Sequence, residues 1–140
     1  MAAYDRPART RTLARIVGPY LVIVAAALFV RQGSLAMLLP GFMQDGPLVL
    51  ATGAFTLMAG LAIIASHHHW TGASAIAIAI STIGIVVALK GAWLMIAPNL
   101  GGELTAAVAR TPALLLLAAA VELLLGLWLS YVGWLSKAQA

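Results

Sequence analysis

Two charged residues, Lys90 and Glu122, lie within long apolar stretches of the chain. Lys90 precedes Pro98 by eight residues, or roughly 12 Å along a helix. Glu122 follows Pro112 by ten residues, or roughly 15 Å. These similar depths predict an ion pair or a hydrogen bond between two neighbouring antiparallel helices. Intramembrane charges also carry proton and ion relays, but a relay usually has several titratable groups at graded depths, so a structural role is favoured.

Three consecutive histidines, His67, His68 and His69, form the other titratable cluster. Neighbouring residues of a helix point about 100° apart, so a helical triplet could not bind one metal ion with all three side chains. In a turn, two of them could, although zinc and haem sites normally need further ligands from elsewhere. A polar turn at the membrane surface is the favoured interpretation, so no cofactor is predicted. A haem or metal site and a pH sensor are the alternatives.

Other reactive chemistry is missing from the sequence. The chain has no cysteine, which excludes disulfides, thiolate catalysis and cysteine-type zinc or iron–sulfur sites. It also lacks a Gly-x-Ser-x-Gly elbow, a phosphate-binding loop and a His-Glu-x-x-His motif. No enzymatic activity is therefore predicted.

The elements that must position these residues are membrane helices, because the composition is far too apolar for a soluble domain. Of the 140 residues, 63% are hydrophobic and 9% are charged, and the mean hydropathy is +1.02. Soluble domains are about 45–50% apolar and about 25% charged, and a chain this short cannot bury such an excess in its core. The sequence predicts a single integral membrane domain over 1–140.

Four apolar stretches are long enough to cross about 30 Å of hydrocarbon. They cover 16–39, 48–65, 73–97 and 113–135, with a weak point of the first at 31–34. The segments between them contain turn-forming residues: Pro40-Gly41, Asp45-Gly46-Pro47, His67–Gly72, 98–102 and Thr111-Pro112. The stretches do not alternate as barrel strands would. The predicted fold is all-α, a four-helix transmembrane bundle.

Basic residues at both ends predict the orientation. Four arginines lie in or next to the N-terminal segment 1–14: Arg6, Arg9, Arg11 and Arg15. Lys137 follows the last span, so the positive-inside rule places both termini in the cytoplasm. Trp70 and Trp134 are then expected as anchors at the cytoplasmic boundary, and the lipid bilayer is the expected partner. Nucleic acid is not, because arginines beside a span are far more often topology signals.

A weak internal repeat relates the two halves. Residues 32–40 align with 90–98, and Thr52, Thr56 and Gly60 align with Ala118, Glu122 and Gly126. Each copy would be a helical hairpin of two spans, and both hairpins would run in the same direction across the membrane, as parallel repeats do. Small residues at four-residue spacing let helices approach closely; they include Thr52–Thr56–Gly60, Gly84–Ala88–Ala92 and Ala118–Glu122–Gly126. These stripes are expected inside the bundle, with a dimer face as the alternative.

The stretch from about 60 to 98 resembles a group of small uncharacterised bacterial membrane proteins with four spans. The resemblance rests on His67-His68-His69-Trp70, Thr82-Ile83-Gly84, Leu89-Lys90-Gly91 and Pro98. His68 stands where the group commonly has Asn, and Ile85 where a Trp often follows the glycine. The resemblance implies four spans in a bacterial inner membrane, and it implies no activity.

Three classes of function remain at this point. The favoured one is an accessory or interaction subunit of a larger membrane complex, or a homo-oligomeric membrane component. The second is a small proton or solute transporter or channel that uses Lys90 and Glu122 after oligomerisation. The third is a haem or metal module that uses His67–His69.

Overall fold

The structure, a computed structural model, describes residues 6–66 and 75–135, and all of these except Asp45, Ala97 and Thr111 are helical. The helices are α1 (Arg6–Gln44), α2 (Gly46–Ser66), α3 (Ala75–Ile96), α4 (Pro98–Arg110) and α5 (Pro112–Ser130), which continues as a π-helical turn (Tyr131–Leu135). Four of them, α1, α2, α3 and α5 with its π-helical turn, are long and apolar enough to cross a membrane. The predicted all-α four-helix bundle is confirmed.

Local chemistry explains the three breaks in the helical chain. At Asp45, the side-chain Oδ1 accepts a hydrogen bond from the N–H of Leu48 at 3.1 Å and so caps the start of α2. Ala97 and Thr111 each precede a proline, whose ring disfavours helical backbone in the residue before it. Accordingly, Ala97 adopts φ −137° and Thr111 adopts φ −110°.

The predicted break at Pro40-Gly41 is wrong. Pro40 lies inside α1, which is 39 residues long and ends only at Gln44. A proline removes one backbone hydrogen bond and kinks a helix without necessarily ending it. The chain turns instead at Asp45, where a capping side chain is present.

The segment 98–110, predicted as a loop, forms the amphipathic helix α4. Its 13 residues are about 20 Å long, too short to cross a bilayer. Gly102 and Ala109 are buried, whereas Glu103 and Arg110 are exposed. A Cβ on Gly102 would lie 3.0 Å from the Sδ of Met43, so α4 packs against the last turn of α1. Its length and two-sided character are those of an interfacial helix.

The spans form two close antiparallel pairs, α2 with α3 and α1 with α5. In the first pair, a Cβ on Gly60 would lie 2.6 Å from the Cα of Ala88, and one on Gly84 would lie 2.8 Å from the Cγ2 of Ile63. In the second, a Cβ on Gly126 would lie 2.8 Å from the backbone nitrogen of Val22. These predicted packing residues therefore allow a close approach of the helices of each pair within one chain.

Both pairs use the same register, which reveals the internal repeat more fully than the sequence does. Gly60 faces Ala88 and Gly126 faces Val22. Each residue of the second contact lies 66 positions from its counterpart in the first, as Gly60 does from Gly126. One constant offset thus relates 9–66 to 75–132. The pairing of 32–40 with 90–98 does not fit this register and is corrected by it, whereas the alignment of α2 with α5 is kept.

Burial follows the same repeat. Ala14 and Ile80, which are 66 residues apart, are both 0% exposed, and Val49 and Leu115 are 3% and 6% exposed. The buried cluster of Ala14, Val17, Ile80 and Leu129 lies where α1 begins and α5 ends. This cluster lies at the end of the bundle where α1 begins, and α4 lies toward the opposite end, where Val49 and Leu115 are buried.

Candidate functional site

Lys90 lies on α3, six residues before the end of this helix at Ile96. Its side chain is exposed at the surface of the bundle. Its neighbours along the helix, Leu89 and Trp93, are also exposed, to 63% and 45%. An amine is thus placed on an otherwise apolar surface, about 9 Å along the helix from its end.

A cavity of about 280 Å³ lies beside Lys90, between α3 and α4. Its lining residues are Leu89, Lys90, Trp93, Leu94, Leu104 and Thr105. Lys90 is the charged member of this set, and Thr105 and Trp93 add polar atoms at the rim. The break at Ala97 creates this space, because it lets α4 fold back along the end of α3.

Glu122 lies on α5, in the middle of the last span, and is partly buried. Its Oε2 atom is buried and has no hydrogen-bond partner among the described residues. Lys90, the predicted partner of this carboxyl, lies on α3. Direct pairing of the two side chains stays a prediction. What the chain places here is an oxygen acceptor that still needs a donor.

The internal repeat shows that this polar site exists once. At the 66-residue offset, Thr56 corresponds to Glu122, as predicted, but Val24 corresponds to Lys90. The predicted counterpart of Lys90, Gln32, instead corresponds to Pro98. Thr56 is satisfied locally, because its hydroxyl donates to the carbonyl of Thr52 at 2.7 Å. The first half therefore carries no equivalent of the charged pair.

The histidine triplet, His67–His69, and the predicted anchor Trp70 lie outside the described residues. Within 6–66 and 75–135, no group of three His, Asp, Glu or Cys side chains is placed to hold a metal ion. The haem or metal site stays a prediction for this turn.

Two arginines near the start of α1 have a role that the sequence analysis did not anticipate. The Nε–H groups of Arg11 and Arg15 both donate to the carbonyl of Gly133, at 3.1 and 2.7 Å. The predicted anchor Trp134 donates its indole N–H to the carbonyl of Arg15 at 3.3 Å. The Arg15 guanidinium lies 5.4 Å from the centre of the Trp134 ring. The four-residue spacing of the arginines was the available signal, since it places both on one face of a helix.

The chain matches no protein-family model, no characterised protein and no solved structure in the comparisons made with each. The resemblance to small bacterial four-span proteins therefore stays a prediction that rests on the motifs between 60 and 98.

Proposed function

We propose that this small membrane protein works by association, as a homo-oligomer or as a subunit of a larger membrane complex, and has no catalytic activity of its own. The observation that carries the proposal is the incomplete polar site at Glu122 and Lys90. One oxygen of Glu122 is buried without a hydrogen-bond partner in the described chain. Lys90 is exposed on the surface of α3.

Both side chains are energetically unfavourable if they remain without partners inside the bilayer. A lysine or a carboxylate at the centre of a span costs about 2.5–3.5 kcal/mol on insertion scales. An unpartnered oxygen in hydrocarbon adds a desolvation penalty, because the bilayer offers no water to replace the missing donor. A second protein surface over α3 and α4 would cover Lys90 and remove its amine from lipid.

The proposed interface also has a depression, the cavity between α3 and α4 beside Lys90. Its volume of about 280 Å³ would accept one or two large side chains from a partner helix. Leu89 and Trp93 would form the apolar border of such a contact, and Trp is among the residues enriched at the energetic centres of interfaces.

Crosslinking through single cysteines tests this proposal. Because the natural sequence has no cysteine, each variant carries only the introduced thiol. Leu89→Cys places a thiol beside Lys90, and Ile23→Cys is the matched control. Ile23 lies 66 residues earlier and is 68% exposed against 63% for Leu89, but its neighbour is Val24. Oxidation in native membranes should crosslink Leu89→Cys to a second copy, and a thiol-to-amine reagent should link it to a foreign subunit.

Crosslinking of Leu89→Cys well above that of Ile23→Cys is the expected result. Equal yields from the two cysteines would mean random collision in the bilayer and would overturn the proposed interface. Failure of both cysteines to crosslink would also contradict it.

Proton or solute transport is the second candidate, and the buried unpartnered oxygen of Glu122 favours it. A carboxyl group without a fixed donor can take up and release a proton, which is what a relay requires. In liposomes, Glu122→Gln should then abolish flux, whereas Thr56→Val, at the equivalent position of the first half, should leave it unchanged. Equal flux in wild type and Glu122→Gln would rule out a role for this carboxyl.

A further inference from the structure

Arg11, Arg15 and Trp134 converge where α1 begins and α5 ends. Both arginines donate Nε–H to a single oxygen, the carbonyl of Gly133, from 3.1 and 2.7 Å. The two guanidinium groups are therefore neighbours. This site is separate from Glu122, which lies eleven residues before Gly133 on α5, and from Lys90, which lies toward the other end of the bundle on α3.

Gly133 lies in the π-helical turn that continues α5, and its carbonyl accepts the hydrogen bonds of both arginines. The C-terminal end of a helix carries the negative end of its dipole, which favours contact with cations. Gly133 also lets α1 approach, because a Cβ there would lie 2.8 Å from the backbone nitrogen of Arg15. The arginines thus cap the final turn, and this contact fixes their position.

The contact with Gly133 uses only part of what Arg15 offers. A guanidinium has five N–H donors in a planar fork, and the Nε–H is the one directed to Gly133. The Nη groups of Arg15 extend beyond this carbonyl, and Arg15 is exposed. A carbonyl is a neutral acceptor, so this hydrogen bond supplies no counterion for the positive charge of Arg15.

The described carboxylates do not supply that counterion. Asp45 and Glu103 lie at the opposite end of the bundle, and Glu122 is eleven residues before Gly133 on the same helix. Asp5 lies outside the described residues.

The position of the site identifies the kind of anion. Arg15 immediately precedes the apolar stretch that begins at Ile16, and the indole of Trp134 is 62% exposed. Trp side chains favour the headgroup level of a bilayer, where lipid phosphates lie. A guanidinium fork matches the geometry of a phosphate through two parallel hydrogen bonds.

We propose that Arg15, with Arg11 and Trp134, binds the phosphate group of an anionic phospholipid at the end of the bundle that carries the chain termini. The capped carbonyl of Gly133 holds the guanidinium of Arg15, and the ring of Trp134 lies against it. The acyl chains then lie along the exposed apolar surfaces of α1 and α5, which include Ile16, Tyr20 and Tyr131.

The test measures lipid binding to the full-length chain by native mass spectrometry, with phosphatidylglycerol and phosphatidylcholine compared in the same detergent. Wild-type protein should retain phosphatidylglycerol at least about tenfold better, as expected for one charge-assisted contact. Equal retention of the two lipids would overturn the proposal, and this comparison needs no variant. Inorganic phosphate that displaces phosphatidylglycerol at equal concentration would also overturn the lipid assignment, because the ligand would then be soluble phosphate.

Arg15→Gln locates the site, with Arg31→Gln as the matched control. Arg31 is also an exposed arginine of α1, but it lies toward the opposite end. Arg15→Gln should reduce the preference for phosphatidylglycerol about tenfold and Arg31→Gln should not. Arg15→Lys, which keeps the charge but loses the fork, should retain part of the preference and serves if Arg15→Gln fails to fold. Equal effects of substitution at positions 15 and 31 would place the lipid elsewhere.

Discussion

Glu122 and Lys90 are the residues on which the functional interpretation of this chain depends. Their types and depths could be recognised from the sequence, because charged side chains are rare within apolar spans. Their surroundings could not be recognised from the sequence. The buried, unpartnered Oε2 of Glu122 and the cavity beside Lys90 depend on how α3, α4 and α5 pack, and no spacing along one helix determines that packing.

Charge exchange tests whether the two side chains act on each other. Lys90→Glu places two carboxylates in this site, and Glu122→Lys places two amines there. Each single substitution should lower stability by about 1 kcal/mol, in the range measured for polar contacts between membrane helices. The double exchange should recover at least half of the loss in a thermal unfolding assay in detergent.

The control for this exchange combines Lys90→Glu with Thr56→Lys, which adds a lysine at the equivalent position of the other half. This variant should recover nothing. If it recovers as much stability as the true exchange, the effect comes from net charge and not from contact between Lys90 and Glu122.

At the scale of the helices, glycine determines which spans pair. Lipid is as apolar as leucine, so helices associate in a bilayer through close packing and polar contacts and not by escaping water. Gly60 on α2 meets Ala88 on α3, and Gly126 on α5 meets Val22 on α1. Both contacts form between the two halves of the chain, so the closest helix pairs are not the predicted hairpins, which would pair α1 with α2 and α3 with α5.

Substitution of Gly60 by Ala should weaken the α2–α3 pair. The added Cβ would lie 2.6 Å from the Cα of Ala88, a backbone atom that cannot move aside without separating the helices. Overpacking of this kind costs about 1–3 kcal/mol. The matched control is Gly33→Ala on α1, where a Cβ meets nothing within 4 Å.

The readout is the unfolding midpoint in one detergent for both glycine variants. Gly33→Ala should match wild type or exceed it slightly, because alanine favours helical backbone over glycine. Equal losses in the two variants would contradict the close approach of α2 and α3.

The spans were predictable from length and hydropathy, whereas the connections were less so. The apolar runs are long enough to identify four membrane helices without any knowledge of packing. Pro40 was misleading, because a proline can kink a helix without ending it. The helix α4 was missed because prolines and glycines, including Pro98, Gly101 and Gly102, suggested a turn, while its buried positions, Gly102 and Ala109, carry little hydrophobic signal.

The repeat was partly recognised, for a reason that the structure makes clear. The match of α2 with α5 is strengthened by Gly60 and Gly126, which both lie in close contacts. In the alignment of 32–40 with 90–98, Pro40 and Pro98 were matched only because both are prolines. Pro98 ends α3, while Pro40 lies within α1, so identical residues occupy unrelated places.

On the scale of the whole molecule, two equivalent halves pack around each other, but only the second carries the charged site. The same asymmetry extends to the connections, since α1 is continuous where its counterpart is divided into α3 and α4. The division creates the cavity beside Lys90. One face of a nearly symmetric bundle is thereby made different from the others, which is what a specific association in the membrane requires.

Native mass spectrometry of the protein, extracted gently from its own membranes, tests association most directly. We expect a mass of two or more chains, or of the chain with a second polypeptide, and we expect Lys90→Ala to reduce this population. A bare 14.5 kDa chain across the accessible concentration range, in wild type and variant alike, would contradict the account.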